Sequence, residues 1–137
     1  KDTAFLPSDR ARLATAYAGE RQAFGRPIGQ FQALQHKIVH AGVELEAAWS
    51  LALGAARLAE LGRDVAVESA MAKLACAKAG QNAAACGMDV LGAAAFDVAL
   101  PMQRYYRDIR LYSFAPLTND VVASFLGERW LGLPRSY

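Results

Sequence analysis

The sequence predicts an all-α fold, an antiparallel up-down helical bundle formed by a single domain. Three observations carry this expectation. Apolar residues recur at three-, four- and seven-residue steps, whereas apolar–polar alternation never persists beyond a few positions. Alanine is frequent, which favours helices and lets them pack closely. Glycine, proline and short polar caps punctuate the periodic stretches, so the connections are short and neighbouring helices run antiparallel.

Ser8-Asp9, after Pro7, marks the first helix start, and Leu13, Ala14, Tyr17 and Ala18 give that helix an apolar face. It stops near Phe24-Gly25, where glycine permits a turn and Pro27 forbids continuation. A long helix is expected from about Gln30 to Leu61, with Phe31, Leu34, Ile38, Leu45, Ala48 and Ala52 as its stripe. Gly62 ends it and Asp64 caps the next, an alanine-rich helix from about Val65 to Leu91 with Met71, Leu74 and Cys76. Gly92 opens a loop to Pro101, and a short helix then carries an arginine–tyrosine cluster. Ala115-Pro116-Leu117 breaks the chain again. Thr118 or Asn119 caps a last helix through about Trp130, which ends at Gly132 and Pro134.

At 137 residues the chain is long enough to bury a core, and 54% hydrophobic with 20% charged residues excludes disorder. A net charge of +2, spread rather than massed, argues against nucleic acid. No apolar run approaches the roughly 20 residues of a bilayer span, so a soluble protein is expected. The first residue is Lys1, with no signal-peptide pattern, and the chain reads as a piece of a longer protein. Cys76 and Cys86 lie ten positions apart on one expected helix, roughly 15 Å along its axis, beyond disulfide reach. They read as small core residues in a reducing, cytoplasmic setting. His36, His40 and Glu44 share a helix face, but the glutamate of a zinc-protease motif is missing and there is no further histidine, so no metal site is assigned.

Two phrases are not demanded by helix formation. The first is Glu20-Arg21-Gln22-Ala23-Phe24-Gly25-Arg26-Pro27-Ile28, followed by Phe31-Gln32; the second is Arg104-Tyr105-Tyr106-Arg107-Asp108-Ile109-Arg110. Taken by themselves, Arg21 is a cation at a helix end and Gln32 a polar helix opener. Arg104 and Asp108, four apart, are expected to pair on one helix face. In this order, however, the phrases resemble the C-terminal helical domain of the acyl-CoA dehydrogenase family. The likeness runs from about Ala14 to Tyr137. Members are FAD enzymes that remove hydrogens from Cα and Cβ of an acyl thioester.

The resemblance implies roles for particular residues. Arg21, ahead of x-x-Phe-Gly, matches the arginine that contacts the FAD pyrophosphate, and Gln32 matches a glutamine near the adenine end. Phe24 belongs to the same contact set, which reaches a cofactor held by the neighbouring subunit. A guanidinium suits this task because it clamps phosphate oxygens bidentately. Asp89-Val90-Leu91-Gly92-Ala93 matches a stretch whose backbone lies near the pyrophosphate and ribose, although the usual second glycine is Ala93 here. A helix simply ending at Gly92 explains the surviving glycine equally well. Thr118 matches the threonine of a Glu-Gly-Thr phrase beside the flavin, in which the glutamate is the base that removes the α-proton.

At that glutamate position this chain has Pro116, and Leu117 takes the glycine's place. Proline neither accepts the proton nor donates an amide hydrogen bond, so no catalytic residue is assigned. The base then lies upstream of Lys1, or the protein is a non-catalytic subunit of a hetero-oligomer, or Asp120 substitutes. Asp120 is the weakest of these, because a helix start favours the carboxylate anion. Further implied partners are an acyl-CoA substrate, a flavoprotein electron acceptor, and other subunits in a homo- or hetero-oligomeric dimer or tetramer. The rival from another class is a helical interaction module without flavin.

Overall fold

Gly62 takes up a left-handed backbone, φ +70°, and so reverses the chain between its two longest helices. Its N–H donates to the Ala59 carbonyl and that of Arg63 to the Leu58 carbonyl, the paired bonds of a Schellman ending. The computed structural model describes residues 9–135. Helix α1 spans Asp9–Glu20, a small hairpin pairs β1 (Gln22–Ala23) with β2 (Arg26–Pro27), and α2 spans Gln32–Glu60. Then come α3 (Ala66–Leu91), α4 (Met102–Ile109) and α5 (Asn119–Arg129), with 3₁₀ turns at Ile28–Gln30, Gly92–Phe96 and Arg110–Ser113. The helical bundle is as expected. Pro7 and Ser8, the expected helix start, and the last two residues lie outside the described range.

Helix α3 touches all four other helices, and its longest contact is with α2. Small residues make that contact possible. Ala41, Ala48 and Ala55, seven apart, are the buried residues of α2. On α3, the buried Ala72, Ala79 and Ala83 share a face with Cys76, whose Sγ donates to the Ala48 carbonyl at 3.5 Å. Polar pairs along the seam keep the same register. Lys37 bonds Asp89 at 2.7 Å, and seven residues further along α2, Glu44 accepts from Asn82 at 2.6 Å, seven residues back along α3.

A second cluster closes the other side. Ala14 and Ala18 of α1, Ile28, the α3 residues Ala84, Val90 and Leu91, and Ala95, Met102 and Ile109 form one buried group. Met102 is fully buried over Gly87, where an added Cβ would stand 2.6 Å from both its Sδ and its Cε. Any larger residue at that point would require the end of the Met102 side chain to move.

Several expectations are corrected. The larger stripe residues Leu34, Ile38 and Leu45 are only partly buried; alanines occupy the centre. Cys76 is exposed and Cys86 intermediate, so neither is a core residue, because the seam places smaller alanines innermost. Asp64 sits one residue too early to be the cap: Val65 is the N-cap, and the Asp64 carboxylate instead accepts from the Ala66 N–H at 3.0 Å. Arg104 and Asp108 do not pair; the Arg104 guanidinium lies 5.6 Å from the Tyr105 ring centre. Gly87→Val should destabilise the fold by about 1–3 kcal/mol through forced displacement of Met102. The check is a shift of the urea midpoint at unchanged slope.

Candidate functional site

A two-residue turn presents the first group of candidates. Phe24 (φ +53°) and Gly25 (φ +78°) both have positive φ, the pattern of a type I′ hairpin turn. The register pairs Ala23 with Arg26 and Gln22 with Pro27. Arg21 continues it: its N–H donates to the Tyr17 carbonyl at 2.9 Å, and its carbonyl accepts from the Ile28 N–H at 2.8 Å. Ile28 is buried in the second cluster and its turn packs on α1 and α2, which seats the hairpin beside the start of α2.

The candidate side chains are exposed around this seat. Phe24 is 96% exposed, although a left-handed backbone costs a non-glycine residue about 1–2 kcal/mol. Its ring meets Phe31 edge-on, with centroids 6.2 Å apart and planes at 85°. Arg26 covers Phe31 from another side, its guanidinium carbon 4.3 Å from the ring centre. Gln32 is exposed at the first position of α2, immediately after Phe31. Arg21 is exposed too, and its guanidinium makes no ion pair among the described residues.

Asp89 and Gly92 belong to the same end of the bundle. The Asp89 carboxylate is engaged by Lys37, and that bond, reinforced by the charge, raises the Lys37 pKa above its ordinary value. Burial pushes the Cys86 thiol up, Asp89 adds to the rise, and Lys37 opposes it. Gly92 ends α3 with φ +56° and ψ −132°, and the space where a Cβ would stand is open. Beside it a groove of about 600 Å³ runs between Met88, Asp89, Phe96, Val98, Tyr106 and Arg107.

Thr118 is elsewhere. It is the N-cap of α5, its Oγ1 accepting from the Val121 N–H at 3.3 Å. The next residue, Asn119, accepts from Lys73 near the start of α3. Sixteen residues of α3 separate Lys73 from Asp89, about 24 Å of helix. Arg21, Phe24, Gln32, Asp89 and Gly92 thus gather at one end, and Thr118 stands near the other.

The loop before Thr118 has two polar anchors that sequence reasoning missed. Gln81 donates to Ser113 Oγ at 2.7 Å and accepts from Arg110 at 2.8 Å, and Lys73 holds Asn119 from the other side. Between them Pro116 and Leu117 are exposed over grooves of about 310 and 480 Å³. No signal in the sequence singles out Gln81 or Lys73, since polar helix residues are ordinarily solvated.

A family model described as "Acyl-CoA dehydrogenase, C-terminal domain" matches residues 9–131. The chain belongs to the acyl-CoA dehydrogenase family. It is 41% identical over 124 residues to the glutaryl-CoA dehydrogenase of Desulfococcus multivorans, covering 90% of this chain and 32% of that protein. The fold superposes on the glutaryl-CoA dehydrogenase of Mycobacterium smegmatis with a TM-score of 0.89 at 26% identity, over 94% of this chain and 33% of that one. It also superposes on an FAD complex of PigA, with a TM-score of 0.87 at 27% identity, over 90% of this chain and 32% of that one. The chain therefore spans about a third of the length of each of these proteins.

The strained tip generates a test of its own. Phe24→Asn should raise stability by roughly 1 kcal/mol, because asparagine tolerates the left-handed backbone. A higher thermal midpoint checks it; an unchanged or lower one means Phe24 is held by contacts beyond its backbone.

Proposed function

We propose that this chain is the C-terminal domain of an FAD-dependent acyl-CoA dehydrogenase, which oxidises the Cα–Cβ bond of an acyl-CoA thioester. In this reading the hairpin end grips the cofactor of a neighbouring subunit in a dimer or tetramer. One observation carries it: an unpaired guanidinium, an exposed aromatic on a strained turn and an exposed amide are brought together on one hairpin and the helix start that follows. None of the three is needed by the core.

The residues fit a dinucleotide. Arg21 offers two parallel N–H bonds to phosphate oxygens. Gly92 leaves the backbone open to close approach, and Phe24 and Gln32 offer a ring face and hydrogen-bonding edge to the adenine end. Asp89, tied to Lys37, fixes the end of α3 against the start of α2. Thr118, about 24 Å away along α3, belongs in this reading to the flavin end of the chain's own cofactor. When bound, FAD supplies the acceptor for the hydride leaving Cβ, and a flavoprotein carries the electrons onward. The two free thiols support a reducing, cytoplasmic setting.

The loop at Pro116 favours a second reading within the family. Pro116 and Leu117 put no proton acceptor where the family's glutamate stands. The base is then supplied from outside this chain, by an upstream segment or by an active partner that this protein supports as a non-catalytic subunit. Asp120 is exposed in the first turn of α5, where the helix start favours its anion, and is the least suited substitute. The exposed Trp49, Phe114, Trp130 and Leu133 would serve a helical interaction module as well as a flavoprotein subunit.

The discriminating experiment uses the full-length protein, alone and with its partner. It should show oxidised-flavin absorbance that bleaches with an acyl-CoA. Arg21→Ala should weaken FAD binding by about 10- to 150-fold, the worth of a charge-assisted hydrogen bond. A protein colourless in every preparation supports the flavin-free module instead, and undiminished FAD binding by the variant overturns the role given to Arg21.

A further inference from the structure

The hairpin carries a second guanidinium to which no role has been given. Ala23 pairs with Arg26, and Arg21 is bridged to Ile28 by a backbone bond. The backbone bond between Arg21 and Ile28 extends the hairpin pairing one position beyond the two strands, which sets Arg21 diagonally across from Arg26. Arg21 and Arg26 are then diagonal neighbours, about 7–8 Å apart at the backbone. Both are exposed, and neither makes an ion pair among the described residues. Two like charges that close repel each other unless an anion comes between them. No carboxylate of the described residues fills that place.

Arg26 is also oriented. Its guanidinium lies 4.3 Å over the Phe31 ring, and Phe31 is anchored because its N–H donates to the Ile28 carbonyl at 3.0 Å. Stacking on an aromatic face uses the plane of the guanidinium and leaves its in-plane N–H groups free to donate. A lysine at this position would keep the charge but lose both the stack and the fork. The arrangement therefore holds a planar cation in a set direction on the hairpin that follows Arg21, with less rotamer freedom to lose when an anion arrives.

We propose that Arg26, stacked on Phe31, joins Arg21 in a two-guanidinium clamp for a diphosphate presented by a neighbouring subunit. The inference rests on the dinucleotide reading above and adds to it a binding residue and the ligand group that residue takes. Arg21 alone meets one phosphate; the diagonal pair spans two.

The test compares Arg26→Ala, Arg26→Lys, Phe31→Leu and Arg21→Ala in the full-length FAD-loaded protein. FAD dissociation is followed by flavin fluorescence across a salt series, with thermal melts of each apo form. Arg26→Ala should bind FAD about 10-fold or more weakly, with a flatter salt dependence and an unchanged apo melt. Arg26→Lys should recover part of the affinity and the salt dependence, and Phe31→Leu, which keeps the charge but removes the stack, should fall between it and the wild type. FAD binding by Arg26→Ala equal to the wild type overturns the clamp while leaving the dinucleotide reading intact, provided Arg21→Ala still loses FAD. Equal losses in the alanine and lysine variants with an unaltered salt dependence also overturn it, since Arg26 would then only brace Phe31. Wild-type protein that takes up no FAD overturns both readings.

Discussion

The close approach of α2 and α3 is the constraint on which the rest of the structure depends. Alanines seven apart on α2 meet small residues on α3, so the two axes lie near each other over most of their length. Larger side chains would wedge them apart and lose the polar pairs from Lys37 to Asp89 and from Asn82 to Glu44. Those pairs are exposed and contribute little by themselves; their value is register. With register fixed, the start of α2 and the end of α3 lie side by side, and Gln32, Asp89 and Gly92 share one end of the bundle. The hairpin is seated through Ile28, whose turn packs on α1 and α2 within the buried cluster that also takes in the end of α3. The gathering of candidate residues from the hairpin, the start of α2 and the end of α3 follows from one helix pairing.

Much of the fold was legible because helix ends have chemistry of their own. Gly62 reversed the chain where a glycine was needed, and Thr118 capped α5 with its hydroxyl. The hairpin was not legible, since two strands of two residues are too short to show alternation. Only the pairing of Phe24 with Gly25 hinted at a turn, and phenylalanine is an unusual occupant of a left-handed position. The centre of the helix seam was misread for a related reason. Pattern matching gives weight to leucine and isoleucine, whereas close axes select alanine, and so the large residues moved to the flanks and the cysteines outward.

The candidate site was legible in part. The phrase around Arg21, Phe24 and Gln32 stands out because its residues serve no helix, and the fold places all three on the surface at one end. The separation of Thr118 from them was not visible, because it depends on the length of α3 between Asp89 and Lys73. Nor were the bonds from Gln81 and Lys73 that hold the Pro116 loop, which are formed by ordinary polar helix residues. The two ends of α3 thus have different tasks. One lies beside exposed cations and an open backbone, and the other holds the Pro116 loop in place.

In the proposed function, the hairpin end of this bundle closes on a dinucleotide seated in another subunit. The most direct measurement is an experimental structure of the full-length assembly loaded with FAD. It should show the Arg21 guanidinium within hydrogen-bonding distance of the diphosphate held by the adjacent chain, with Gln32 beside the adenine. Arg21 and Gln32 turned toward solvent, away from every cofactor in an otherwise family-like assembly, would contradict it.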